Sequence, residues 1–281
     1  MMRLIKKMSC SSIHIGGGEP MLKPDNLSKI LETANRECIR VEYVETNSSW
    51  FTDLNSAKDT LAKLKNSGLK TLLISISPFH NEFIPFYKVM GVMEACRITG
   101  INIFPWITDF IQDLSVFDNR TSHTLKEYEE KFGDHYLSET LQKYWIHPGG
   151  RAIDLLRKVY KKKYFDQIMD ENPGGCIQEL TGTAHFHVDL YGNYIPGLCS
   201  GLSISFADLD QPLECDHYPI ITTLAEYGIR GLYQKAQKLF NYSPIRSSYV
   251  NKCEMCTEIR GFFLKNRYGG SGELGPKGFY L

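Results

Sequence analysis

The residues best suited to chemistry are cysteines, because five of the eight in the chain follow residue 175. Cys253 and Cys256 form a CxxC pair, a spacing that lets two thiolates face one metal ion or cluster. Cys176 and Cys199 flank a predicted hairpin and would complete a four-thiolate site, with Cys215 as a spare candidate. One CxxC alone fits zinc, a redox pair or iron–sulfur. No export signal is recognisable, which favours metal ligation or free thiols over disulfides.

A glycine-rich turn is the second candidate site. It follows the apolar strand pattern at 13–15 and precedes an amphipathic helix over 22–36. The turn contains Gly16, Gly17, Gly18, Glu19 and Pro20. Glycines let the backbone approach a ligand where a Cβ would collide, and proline stiffens the exit. An ordinary βα connection or a degenerate phosphate loop has the same pattern, so the turn alone does not specify its ligand.

Polar side chains follow the predicted strands at the ends where α/β proteins bind ligands. They are Asn47, Ser75, Ser77 and His80. Together they would form a polar rim at the carboxyl edge of a parallel sheet. Taken singly, Asn47 and the two serines could instead cap helices or satisfy turn backbone. His80 could donate a proton or contact a substrate, although a lone loop histidine usually does neither.

Two further groups could contact a substrate or a metal. On a strand, His185, His187 and Asp189 would project to one face, where two imidazoles and a carboxylate can bind zinc or ferrous iron. Tyr191 to Tyr194 also has the pattern of a tight hairpin turn, which returns the strand on itself. Arg151 follows two glycines and could pair with a carboxylate through its guanidinium fork, or lie on a helix surface.

Composition excludes several classes of function. The 32 basic and 32 acidic residues balance, so no basic field favours nucleic acid and no cationic face favours a membrane surface. No window approaches the roughly 18 to 20 unbroken apolar residues that a transmembrane helix needs. We therefore expect a soluble, cytoplasmic protein whose 281 residues can bury a sizeable core.

The N-terminal pattern alternates strands with helices, which predicts a parallel sheet with right-handed crossovers. Strands are predicted near 12–16, 39–46, 70–77 and 100–106, and helices near 24–37, 54–67 and 86–99. Asp53 would cap a helix, and Gly68 and Gly100 would end helices. A mostly helical stretch follows between 107 and 173. The isolated cysteines Cys10, Cys38 and Cys96 are expected to be small buried hydrophobes.

Several of these segments resemble the radical SAM superfamily. Gly17-Gly18-Glu19-Pro20 resembles its GGEP motif, which holds the amino group of S-adenosylmethionine beside a four-iron four-sulfur cluster. The segments 41–47 (VEYVETN) and 69–77 (LKTLLISIS) resemble the next two strands of that barrel. The late cysteines resemble a SPASM or twitch auxiliary cluster domain, although the interval from Gly192 to Cys199 is about two residues longer than usual. No cysteine follows Cys256, which favours a single cluster, or zinc, over two clusters.

The resemblance implies an enzyme that forms a 5'-deoxyadenosyl radical for hydrogen abstraction from a small molecule or peptide. The residues implied for the cofactor are Gly16, Gly17, Gly18, Glu19, Pro20, Asn47, Ser75 and Ser77. Those implied for an auxiliary 4Fe-4S cluster are Cys176, Cys199, Cys253 and Cys256. An electron donor such as ferredoxin or flavodoxin would be the partner. Substrate contacts would come from His80, Arg151, His185 and His187.

One element of that family is missing from the sequence. Radical SAM enzymes hold the catalytic cluster with a CxxxCxxC trio ahead of the glycine turn, whereas the residues before Gly16 contain one cysteine, Cys10. We therefore do not expect this chain as written to cleave S-adenosylmethionine. A truncated start, which we favour, a partner subunit that supplies the cluster, or a loss of catalysis would each explain this. Truncation would leave a sheet edge unpaired and predicts poor solubility.

The sequence thus predicts an α/β protein, with a partial TIM-like (β/α) radical SAM barrel at 1–170 and a small α+β iron–sulfur domain at 171–281. Two alternatives remain open. One is a non-catalytic iron–sulfur or zinc-binding protein. The other is a metal-dependent hydrolase that uses His185, His187 and Asp189, because this segment also resembles the HxHxD segment of metallo-β-lactamase-type enzymes, which place a further histidine where Leu190 stands.

Overall fold

The structure is a computed structural model that describes residues 2–104, 108–144, 152–182, 185–197, 199–209, 211–270 and 272–280. Within these ranges the helices are α1 (Met2–Lys7), α2 (Pro24–Arg36), α3 (Leu54–Asn66), α4 (Pro78–Asn81), α5 (Phe86–Thr99), α6 (Phe110–Ser115), α7 (Leu125–Phe132), α8 (Tyr136–Lys143), α9 (Ala152–Val159), α10 (Phe165–Glu171), α11 (Ile177–Thr181), α12 (Pro219–Phe240) and α13 (Lys252–Lys265). The strands are β1 (Ser12–Ile15), β2 (Arg40–Thr46), β3 (Thr71–Ile74), β4 (Asn102–Phe104), β5 (Lys163–Tyr164), β6 (Phe186–Val188), β7 (Asn193–Pro196), β8 (Ile204–Ser205) and β9 (Ser248–Tyr249).

The chain divides into two compact units, Met1–Glu139 and Thr140–Leu281. The sequence-based boundary near residue 170 lies later, and helices α9 and α10 belong to the second unit. The contacts of α9 explain this placement, because Arg157 donates to the carbonyl of Ser248, far along the same unit. Among the described helices, none is long and apolar enough to cross a bilayer.

The first unit is built on a four-stranded parallel sheet in the order β1-β2-β3-β4. This confirms the predicted α/β alternation, and each predicted strand and helix lies within a few residues of an observed one. Helix α2 packs on β2, α5 packs on β4, and α3 packs against both helices. The apolar spacing that predicted α3 is seen in its buried residues Ala57, Leu61 and Leu64.

Local stop and start signals in the first unit behave as the sequence predicts. The Asp53 carboxylate accepts from the backbone N–H groups of Asn55 and Ser56 at 3.0 Å and caps α3. Gly100 ends α5 in the left-handed conformation with φ +67°. Cys96 is fully buried, as expected, whereas the expectation for Cys38 was wrong. Cys38 is exposed, with φ +58°, because it follows the end of α2 in the turn into β2.

The second unit contains a three-stranded antiparallel sheet in the order β6-β7-β8 and a two-stranded pair, β5-β9. The predicted hairpin is confirmed by β6 and β7, with Gly192 at φ +82° in its turn. Helices α12 and α13 pack on each other, and α11 packs on α12. Helix α12 is interrupted at Gly228, whose φ is +59° and where an added Cβ would lie 2.2 Å from the carbonyl oxygen of Gly174.

Candidate functional site

The glycine turn after β1 presents open backbone. Gly17 and Gly18 have φ values of +81° and +59°, which other residues rarely adopt, and no atom lies within 4 Å of the Cβ that each would carry. Both glycines are exposed. Gly16 differs, because a Cβ there would lie 2.6 Å from a carboxylate oxygen of Glu45. The turn therefore has the conformation and the free space that a ligand bound to its backbone requires.

The Glu19 carboxylate points into the protein, where it joins the turn to the end of β2. It accepts from the backbone N–H of Met21 at 3.0 Å, from the backbone N–H of Asn47 at 2.6 Å and from the Thr46 hydroxyl at 3.1 Å. Burial raises the pKa of Glu19, against the opposing effect of these donors. Glu19 thus fixes the position of the turn, and Pro20 begins the 3₁₀ turn that follows it.

The predicted polar rim is used mainly for capping. The side-chain oxygen of Asn47 accepts from the Ser49 N–H at 2.9 Å. The Ser77 hydroxyl caps α4 and lies 2.7 Å from Nδ1 of His80. The Ser75 N–H donates to the carbonyl of Thr46 at 2.9 Å, which continues the β2–β3 pairing. These contacts support the alternative that Asn47 satisfies turn backbone and that Ser77 caps a helix. The Ser77 hydroxyl also engages the side chain of His80.

The four predicted metal-binding cysteines come together in the second unit. Nζ of Lys252, the residue before Cys253, lies 3.7 Å from Sγ of Cys176. Arg260, one helical turn after Cys256, donates to the carbonyl of Ser200 at 2.9 Å, next to Cys199. Helix α13 therefore contacts both of the other cysteine segments. All four thiols are partly buried and none forms a disulfide.

Cys176 is positioned by a close backbone approach to α12. Its N–H donates to the carbonyl of Leu224 at 2.8 Å. The preceding Gly175 leaves no room for a side chain, since an added Cβ would lie 2.1 Å from the carbonyl oxygen of Ala225. The interruption of α12 at Gly228 accommodates the same loop. The glycines on both sides of this contact thus set the position of the first cysteine.

Cys199 follows β7 in a turn, where its N–H donates to the carbonyl of Pro196 at 3.0 Å. Cys253 and Cys256 lie in the first turns of α13, which Asn251 caps by accepting from the N–H of Glu254 at 3.0 Å. A helix places residues three apart on neighbouring positions of one face. The CxxC spacing therefore directs both thiols of α13 to the same side.

The environment of the four cysteines disfavours the thiolate form of a free cysteine. It also places cationic side chains beside the sulfurs, where they would stabilise thiolates bound to a metal. Burial, together with the neighbouring cysteines, raises the pKa of Cys199 to about 12 and that of Cys253 to about 11. Burial also raises the pKa of Cys176, although Lys252 acts against it. A metal or cluster ligated by these sulfurs would have to displace their protons.

The sulfur spacing bears on the kind of group that fits. Tetrahedral zinc, with zinc–sulfur bonds of about 2.3 Å, brings its four sulfurs to about 3.8 Å from one another. In the described part of the chain, the cysteine sulfurs do not form a group of three close enough to share one metal ion. An iron–sulfur cluster places iron and sulfide between its cysteine ligands and needs a wider set. The residues present fit a cluster better than a zinc ion.

The histidines and aspartate of the hairpin separate into different roles. His185 and His187 are exposed, with ring centroids 4.8 Å apart, so they share a face as predicted. The Asp189 carboxylate instead holds the hairpin turn. It accepts from the backbone N–H groups of Tyr191 at 2.8 Å and Asn193 at 2.9 Å, and from the side-chain amide of Asn193 at 2.8 Å. The geometry therefore does not favour the three-residue hydrolase site.

Two other predicted residues remain. Arg151 lies outside the described residues. Cys215 is exposed. The sequence analysis did not single out Lys252 or Arg260. The sequence does contain a signal for both residues. Lys252 adjoins Cys253, and Arg260 follows Cys256 by four residues, which is the spacing of neighbours on a helix.

Comparison with known proteins adds no assignment to this geometry. No protein-family model matches the chain, and no curated protein matches it significantly.

Proposed function

We propose that this protein is an iron–sulfur protein of the radical SAM type, in which Cys176, Cys199, Cys253 and Cys256 hold an auxiliary cluster. The observation that carries the proposal is the convergence of two cysteine segments, those of Cys176 and Cys199, on the CxxC helix α13, where Lys252 contacts Cys176. Four thiols, a neighbouring cation and a sulfur spacing wider than zinc requires are the features expected of such a site.

In the same proposal, the exposed backbone of Gly17 and Gly18 binds the methionine end of S-adenosylmethionine. The four-stranded parallel sheet would then be part of a (β/α) barrel. Bound beside a reduced cluster, this cofactor supplies a 5'-deoxyadenosyl radical that removes hydrogen from a substrate. The sequence has no CxxxCxxC ahead of Gly16. We therefore assign to this chain the binding of the cofactor and of the auxiliary cluster, and no step of radical formation.

The partners follow from the same proposal. An electron donor such as ferredoxin or flavodoxin would serve the cluster, and His80, His185 and His187 are candidates for contacts with a small-molecule or peptide substrate. The second candidate function is a non-catalytic iron–sulfur protein. It is favoured by the inward orientation of the Glu19 carboxylate, by the turn contact of Asn47 and by the capping role of Ser77, which leave few side chains for the cofactor.

Calorimetry with S-adenosylmethionine on the anaerobically reconstituted protein separates the two functions. The variant Gly17→Ala/Gly18→Ala should weaken binding at least about tenfold, because both positions need positive φ. Gly133→Ala is the matched control, since Gly133 has φ +108° and equally open surroundings. If the iron-loaded wild type binds no S-adenosylmethionine, the cofactor assignment fails and the non-catalytic iron–sulfur protein remains.

A further inference from the structure

Arg260 is a buried cation whose hydrogen-bond partners are all neutral. The residue is only 3% exposed. The guanidinium donates to the carbonyl of Ser200 at 2.9 Å, to the Tyr280 hydroxyl at 2.8 Å, to the Thr257 hydroxyl at 3.0 Å and to the carbonyl of Cys256 at 3.4 Å. Among the described residues, no carboxylate forms an ion pair with it. Burial of an uncompensated charge is costly.

The carboxylates of the same helix are committed elsewhere. Glu254, on α13, pairs with Arg157. Glu258 pairs with Arg246 at 3.0 Å. Helix α13 thus carries ion pairs with arginines from other segments and, separately, one arginine that has hydrogen bonds but no counter-charge.

The groups near Arg260 that can become anionic are cysteines. Its charge interacts with the sulfurs of Cys256 and Cys199. Tyr280 does not supply the charge, because its hydroxyl keeps its proton and donates it to the carbonyl of Gly201 at 2.5 Å. Lys252, the other cation beside the cysteines, already shares its charge with Glu179 at 2.5 Å. A negative charge at the cysteine site would therefore complete the pairing of Arg260.

We propose that Arg260 is the built-in counter-cation of the centre held by the four cysteines, so that it compensates the net negative charge of the ligated centre and raises its reduction potential. This inference rests on the proposed function. Four ligating thiolates carry more negative charge than a divalent metal or an oxidised cluster core neutralises. Reduction adds one more negative charge, which a buried guanidinium nearby stabilises. Arg260 would act by placing its charge beside the bound centre and not by contact with a substrate.

The test compares the midpoint potential and the iron content of Arg260→Gln and Arg260→Lys with those of wild type. The glutamine variant removes the charge and keeps hydrogen-bond donors, whereas the lysine variant keeps the charge. Lys265→Gln, which removes an exposed charge at the far end of the same helix, is the control. We expect Arg260→Gln to disfavour reduction about tenfold, a shift of about 59 mV to more negative potential for a one-electron couple. Arg260→Lys and Lys265→Gln should stay within about threefold of wild type.

The outcomes separate this inference from the proposed function. A folded Arg260→Gln variant with wild-type potential and iron content overturns the role of Arg260 while leaving the cluster in place. A wild type without bound metal overturns the proposed function itself. If the wild type holds zinc, zinc affinity is measured by competition with a chelator instead of the midpoint potential. The Arg260→Gln variant should then bind zinc about tenfold more weakly than wild type. If Arg260→Gln does not fold, Arg260→Lys decides: wild-type behaviour supports the charge role, and a folded protein that has lost its metal refutes it.

Discussion

The ion pair between Arg157 and Glu254 should be the strongest pairwise anchor of the helix that carries the CxxC. The Glu254 side chain is 3% exposed and that of Arg157 is 23% exposed. Among the described residues, replacing Arg157 by methionine would leave the buried carboxylate with the Val250 N–H at 2.6 Å as its close donor and with Arg246 at 3.9 Å. We therefore expect a large loss of stability in the second unit.

The magnitude follows from this partial compensation. Breaking a fully buried ion pair costs about 3–5 kcal/mol. Because Arg157 is partly exposed and Arg246 stays nearby, we expect Arg157→Met to lower the free energy of unfolding by about 2–3 kcal/mol, at or below that lower bound. The coupling energy with Glu254→Gln in a double-mutant cycle should be about 1–2 kcal/mol.

Urea unfolding followed by circular dichroism measures these free energies, and amide hydrogen exchange in α13 assigns the loss to the second unit. The exposed pair Arg97–Glu94, with side chains 72% and 43% exposed, is the matched control. Its coupling energy should stay below about 1 kcal/mol. A coupling energy at Arg157–Glu254 no larger than at the control pair would refute the anchoring role.

Two further predictions concern buried carboxylates. Glu19→Gln, which replaces one of the acceptor oxygens, should lower the stability of the first unit by about 1–2 kcal/mol in urea unfolding, and an unchanged midpoint would contradict the described turn. Burial raises the pKa of Glu273, which is 0% exposed and accepts from the N–H groups of Ile220, Ile221 and Gly270. The stabilising contribution of Glu273 is therefore complete below its unfolded pKa and declines as the pH rises through its folded pKa. The melting temperature of Glu273→Gln should therefore improve relative to that of wild type between pH 4 and pH 8. The opposite trend would show that folding does not raise the pKa of Glu273.

Local patterns in the sequence predicted the elements of the first unit well. The periodicity of α3, the cap at Asp53 and the left-handed Gly100 depend on neighbouring residues, and each appears where the sequence places it. The barrel does not follow from these patterns, because closure depends on contacts between distant strands. The four parallel strands establish the coarser α/β class alone.

The candidate site was predictable where it depends on residue type and was missed where it depends on long-range contacts. The four cysteines were identified by their spacing around a hairpin and in a CxxC. The burial of Arg260 beside Ser200 could not be predicted, since 60 residues separate the two. Asp189 is a second case of this kind. Strand alternation suggested a metal ligand, and the structure shows its carboxylate accepting from backbone N–H groups of the hairpin turn.

Iron and acid-labile sulfide per chain, measured after anaerobic purification, test the central claim most directly. The samples are wild type, Cys253→Ala/Cys256→Ala, and Cys215→Ala as a control in which an exposed cysteine outside the site is removed. We expect about four irons and four sulfides in wild type and in the control, and none in the double variant. A wild type without iron, or a double variant that keeps it, would contradict the assignment, and zinc without sulfide would identify a zinc site instead.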